Sequence, residues 1–166
     1  MASEQAAHRA LWICGLSAVA LLAGLGLYLK PLQPNIVALQ LCFTPSAFGA
    51  IVHAWGEAGL ARYRAHLPWD YLLLLSYGLF GWLLATRTAV FAPYPVWAQR
   101  VAAWLMPLAG ACDAIENALH AWLTQAPRFG LEAVYAASGS VALLKWLALM
   151  VFAAAVAHAL WLQKDR

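Results

Sequence analysis

Hydrophobic residues run in long blocks along this chain, separated by short polar or proline-rich stretches. The first block, Ala10 to Leu29, is long enough to cross the hydrocarbon core of a bilayer, and Lys30, Pro31 and Pro34 end it. Further blocks at about 69–86, 101–123 and 138–162 are of similar length. Between the first two lies a shorter amphipathic pattern. Thr44 reads as an N-cap with Pro45 at the first helical position, Phe48, Ile51, Val52 and Trp55 follow at helical spacing, and Gly56 and Gly59 close the run. This segment, about 45–56, is too short to span and predicts a lid helix, interfacial or re-entrant. The residues after it, from Glu57 through Arg62, Arg64 and His66 to Pro68, read as a polar connection, with His53 and His66 in surface roles. The pattern therefore predicts an all-α chain forming one domain over 1–166. It is a four-transmembrane-helix bundle with a short amphipathic lid helix between spans 1 and 2.

Composition strengthens the membrane assignment. The chain is 64% hydrophobic and 10% charged, with a mean hydropathy of +0.70, too little charge to cover a soluble domain of 166 residues. Lys and Arg exceed Asp and Glu, but the excess is scattered and forms no basic stripe, so nucleic acid is not an expected partner. Cys14, Cys42 and Cys112 show no paired spacing and read as small buried hydrophobes. The first block resembles a secretory h-region but is long and lacks a clean cleavage site, which predicts a retained helix. Trp12, Trp69, Trp97, Trp122 and Trp161 fall near block ends, where an aromatic belt would place them. Arg9, Arg87, Arg100, Lys164 and Arg166 fall on one side, against Lys30, Arg62, Arg64 and Arg128 on the other. The small difference favours both termini in the cytoplasm.

The third block carries the candidate chemistry. Asp113, Glu116 and His120 stand at i, i+3 and i+7 and so share one helical face, with Asn117 beside them. Gly110, Ala114 and Ala118 form a neighbouring strip against which a helix could pack closely. Pro107 lies inside the span and predicts a kink one turn before Asp113. By rise per residue, Glu116 lies ~10 Å and Asp113 ~15 Å below the surface at Leu123. Lys145 on the fourth block and Tyr77 on the second fall at comparable depth, and Asp70 lies near the mouth of the second. Ionisable groups at such depth are costly and mark function by default. The expectation is that Asp70, Tyr77, Asp113, Glu116, His120 and Lys145 meet in one half of the membrane, beneath the lid. Two carboxylates and one lysine leave one acid over, and such a group can give or take a proton. Oxygen and nitrogen donors on one face invite a metal reading. The di-iron bundles, however, place Glu-x-x-His on two helices and no second copy exists here, so neither metal nor other cofactor is expected.

The run AFGAIVHAWGEAGLARYRAHLPWDYLLLLSYG, followed by PLAGACDAIENAL, resembles a family of small bacterial four-helix integral membrane proteins. That family shares an Asp-aromatic pair with a tyrosine downstream, then an Asp-x-x-Glu-Asn helix. The likeness covers about residues 39–119 and matches Asp70, Tyr71, Tyr77, Asp113, Glu116 and Asn117. It implies a bacterial inner membrane location and no activity. In architecture alone, the chain is also similar to the sterol-isomerase and sigma-2-receptor superfamily, short four-helix bundles with intramembrane acids around an apolar ligand.

These readings favour a buried polar cavity that binds or processes a lipid-like or small hydrophobic molecule. In that reading Asp113, Glu116 and Lys145 are the candidate catalytic groups: either acid moves a proton and the lysine stabilises negative charge. Asp70, Tyr71, Tyr77, Asn117 and His120 would hold the substrate, and membrane lipids surround the protein. One rival is a structural or assembly subunit whose acids pair with Lys145 or with a membrane-protein partner. Another is a homo-oligomeric proton-coupled transporter. No nucleophile elbow, Walker loop, HExxH or haem-attachment motif is present.

Overall fold

A computed structural model describes residues 2–126 and 128–164, with side chains from Glu4 onward. Pro127 in the last loop and Arg166 in the orientation argument lie outside the described residues. The described chain is all helix: α1 (Ala2–Leu29), α2 (Ile36–Gln40), α3 (Pro45–Arg87), α4 (Val96–Leu123) and α5 (Glu132–Lys164). Of these, α1, α3 and α5 are long and apolar enough to cross a membrane, which makes this an integral membrane protein by length and composition. Their outer faces agree. Leu16, Val19, Leu22, Leu75, Leu79, Met150 and Leu160 are all more than half exposed, as a lipid-facing wall requires and a water-facing one does not tolerate.

The helices differ from the expected spans mainly at their beginnings. α1 takes in most of the polar head expected before Ala10, and α4 starts at Val96 rather than about residue 101. The larger difference is in α3. Residues 57–68, expected as a polar connection, are helical, and Pro68 sits inside the helix instead of before it. Proline removes one amide donor and crowds the preceding turn, but flanking packing holds the helix through it. Tyr63 and Leu67 are buried on one side of Pro68 and Leu73 and Leu74 on the other. His66, expected at the surface, is 3% exposed.

The N-terminal signal of α3 is as read. Thr44 is extended (φ −132°, ψ 150°) and its hydroxyl accepts from the Ala47 amide at 3.3 Å, with Pro45 following. Gly56 breaks the helix. Its φ of 61° and ψ of −173° form a conformation that L side chains rarely adopt, so the chain turns there into two arms. The first arm, Pro45–Trp55, crosses the ends of α4 and α5: the Phe48 ring meets His120 and Tyr135 edge-on, each at 5.3 Å between centroids.

The long helices form a row, α1–α3–α4–α5, each packed against the next in the antiparallel sense. Pairs such as Asp70 with Asn117 and Tyr77 with Asp113 fix that sense for α3 and α4. Close approach is needed where these two cross: a methyl group on Gly110 would stand 3.2 Å from the Leu74 carbonyl oxygen. The expected small-residue strip is used only in part, since Gly110 is buried, Ala114 half-buried and Ala118 exposed. The two ends of the row, α1 and α5, barely touch each other. The short α2, capped by Asn35 Oδ1 accepting from the Ala38 amide at 3.1 Å, bridges part of that gap by packing on α3 and α5.

Candidate functional site

Two apolar clusters occupy opposite ends of the bundle along the helix axes, and a polar layer separates them. Leu39, Phe48, Trp55, Tyr63, Leu123 and Tyr135 belong to the cluster beneath the first arm of α3. Phe91, Ala102, Met106, Phe152 and Ala159 form the one at the opposite end. Between them α3, α4 and α5 each contribute polar side chains. The i, i+3, i+7 spacing on α4 turns Asp113, Glu116 and His120 inward, 5%, 0% and 1% exposed.

At the centre is Lys145, 3% exposed, with Nζ 2.9 Å from Asp113 Oδ1 and 2.7 Å from Glu116 Oε2. Asp113 is held from the other side as well, because the Tyr77 hydroxyl donates to its Oδ2 at 2.9 Å. One ammonium thus stands between two carboxylates, and charge-assisted bonds of this length are the strong ones. Both Glu116 oxygens are buried and make no hydrogen bond among the described residues: Oε2 has only its ion pair with Lys145, and Oε1 lies 4.0 Å from His120 Nδ1. That nitrogen is bonded instead to the Tyr63 hydroxyl at 2.6 Å. Tyr63 packs its ring on His66 at 4.7 Å, and His66 Nδ1 is bonded to the Tyr63 carbonyl oxygen. A second polar pair lies alongside: Asn117 Nδ2 donates to Asp70 Oδ2 at 2.7 Å.

A cavity of about 330 Å³ opens onto this layer from the gap between α1 and α5. Its apolar walls come from Ala18, Val19 and Leu22 on α1 and from Trp146 and Leu149 on α5, with Ile36 and Gln40 of α2 above. Asp70, Tyr77, Asp113 and Lys145 form its polar floor. Trp146 Nε1 donates to Gln40 Oε1 at 3.2 Å, tying α5 to α2 over the opening. A smaller adjoining cavity of about 190 Å³ shares Leu22, Ile36, Asp70 and Leu73 and reaches Lys30 and Asn35. Asp70 lies where the two meet.

The structure therefore brings together Asp70, Tyr77, Asp113, Glu116, Asn117 and Lys145. It separates two other candidates from the cavity. Tyr71 is 37% exposed and its hydroxyl donates to the Ala114 carbonyl at 3.1 Å, a bond between α3 and α4 that lines no part of the cavity. His120, expected near the mouth, is sealed behind Glu116 by Phe48 and Tyr63. Sequence reasoning passed over Gln40, Tyr63, Trp146 and the burial of His66. Tyr63, His66, Asp70 and Tyr77 stand at i, i+3, i+7 and i+14, one helical face, and that signal is visible once Pro68 is allowed inside the helix.

The chain matches no family, no curated protein and no solved structure. Its chemistry is written in its own side chains. The floor offers a carboxylate oxygen on Asp70 with no donor among the described residues, the Lys145 ammonium beyond its two ion pairs, and the Tyr77 oxygen as an acceptor.

Proposed function

We propose that the protein is a four-span bundle that binds a lipid-like amphiphile in the cleft between α1 and α5. The single observation that carries this reading is the 330 Å³ cavity, which joins apolar walls open toward the lipid to a floor of Asp70, Tyr77, Asp113 and Lys145. Small-molecule sites share that anatomy: mostly apolar walls with a few convergent polar groups that fix orientation. α4, at 28 residues, is long enough to serve as the fourth span, its two carboxylates, Asp113 and Glu116, facing inward rather than toward lipid. In this reading the first arm of α3 is a lid over the polar layer. The amphiphile enters sideways between α1 and α5, leaving its tail against Val19, Leu22 and Leu149. Glu116, whose two buried oxygens make no hydrogen bond among the described residues, is the group best placed to hold a proton if the bound molecule is processed.

A second reading has its own support. Lys145 within 3 Å of both acids is what a purely structural ion triad would look like, with the exposed face of α1 left for a partner. Purification in mild detergent followed by mass spectrometry of co-purifying amphiphiles separates the two. Val19 is 66% exposed and lines the cavity, so Val19→Trp fills the cleft without disturbing packed core. Binding predicts a defined species with the native protein and with Glu116→Gln that is lost from Val19→Trp. An unchanged, nonspecific lipid profile in all three overturns it.

A further inference from the structure

We infer that the cleft selects an amphiphile whose head is an ammonium group, paired with Asp70. The inference deepens the amphiphile-binding reading above and rests on it. Two carboxylates, Asp70 and Asp113, lie in the floor and a third, Glu116, stands behind Lys145, which among the described residues is the one basic side chain lining the cavity. The lysine is already engaged, 2.9 and 2.7 Å from its two acids. Among the described residues no arginine lines the cavity. A phosphate, sulfate or carboxylate head in the 330 Å³ cavity would therefore meet like charge beside a lysine that is already engaged, Lys30 lining only the adjoining cavity, and in a site shielded from water such a juxtaposition is strongly disfavoured.

Asp70 is the acid left without a counter-charge. It forms no ion pair among the described residues, its Oδ2 accepts from Asn117, and its other oxygen has no protein partner. It also lies where the 330 Å³ and 190 Å³ cavities meet, reachable both from the lipid side and from the polar end at Lys30 and Asn35. The Asn117 amide holds the carboxylate in place before any ligand arrives, so little ordering remains to be done on binding. Around it, Leu22, Ile36 and Leu73 lower the local polarity and strengthen the attraction to a cation. Either a free hydrophobic amine or the ammonium of an aminophospholipid presents this chemistry.

The full chain in nanodiscs of phosphatidylglycerol, a lipid without an amine, provides the test. Saturable binding of dodecylamine, lysophosphatidylethanolamine, dodecanol and dodecanoate is measured by native mass spectrometry near pH 7, against empty discs. Dodecylamine should bind at least about tenfold more tightly than dodecanol, dodecanoate should not bind saturably, and Asp70→Asn should remove that preference. Asp70→Glu, which keeps the charge, should retain it, and the unfolding midpoint of each variant shows that the bundle is intact. Lysophosphatidylethanolamine binding with the same dependence on Asp70 assigns the ammonium to an aminophospholipid. Binding of dodecylamine alone assigns it to a free amine. Equal affinity for amine and alcohol, or an amine affinity untouched by Asp70→Asn, overturns the charge preference while the cleft itself stands. If none of the four binds saturably, the amphiphile-binding reading falls with it.

Discussion

Along α4 the interior changes character near Gly110, and the two halves of this one helix make a useful contrast. The first half buries Ala102 and Met106 against Phe91 and Phe152, with no charge in the cluster. The second half buries Asp113, Glu116, Asn117 and His120. In lipid, apolar packing gains little from leaving the solvent, and tight contact is what holds helices together. The first half uses that means alone. The second half carries charges whose desolvation is expensive, and a buried ion pair is weak evidence that stability is the reason for it. A bundle built only for stability would repeat the first half twice.

The largest effect that would test this contrast comes from Lys145→Met. It removes the ammonium shared by Asp113 and Glu116 and leaves two buried carboxylates side by side, a loss of about 3–5 kcal/mol in detergent unfolding. Adding Glu116→Gln should recover part of that loss, and adding Asp113→Asn as well should recover most of it. With Asp70→Asn added to these three changes the floor is neutral, and that variant should bind no amphiphile in the co-purification experiment. Full recovery of both stability and co-purification would make the polar half a structural device and dissolve the contrast.

Phe152→Leu perturbs the other half. The ring is 5% exposed and packs on Phe91 at 5.8 Å between centroids. A smaller apolar side chain there should cost about 1 kcal/mol and leave amphiphile content unchanged. A change in bound amphiphile would mean that the two halves are one mechanical unit.

The two halves also differ in how readily they could be read from the sequence. The facing of Asp113, Glu116 and Asn117 followed from helical spacing alone, and so did the common height of Lys145 and Tyr77. The N-cap at Thr44 and the break at Gly56 were equally legible, because each rests on a local backbone requirement. What failed was the weight given to Pro68. Taken as a helix start, it hid the run Tyr63, His66, Asp70 and left His66 at the surface. Proline's cost is local, and the burial of Tyr63, Leu67, Leu73 and Leu74 on both sides outweighs it. The gap between α1 and α5 was not legible at all. Hydropathy says which residues avoid water and is silent on which helices touch, so neither the cleft nor the bridging of α2 could be drawn from it.

The smallest effect expected is also the one that draws the boundary of the site. Tyr63→Phe deletes the hydroxyl bonded to His120 Nδ1 at 2.6 Å and keeps the ring that packs on Trp55 and His66. One hydrogen bond inside a membrane bundle contributes about 0.6 kcal/mol, so the unfolding midpoint should fall only slightly. Neither Tyr63 nor His120 lines the cavity, and Glu116 stands between His120 and Lys145. Dodecylamine affinity should therefore be the same in Tyr63→Phe as in the native protein. If it drops tenfold instead, His120 and Tyr63 are working parts of the floor. The polar half would then reach from Asp70 back to the first arm of α3, and the line between packing and chemistry would lie one helical turn further along α4.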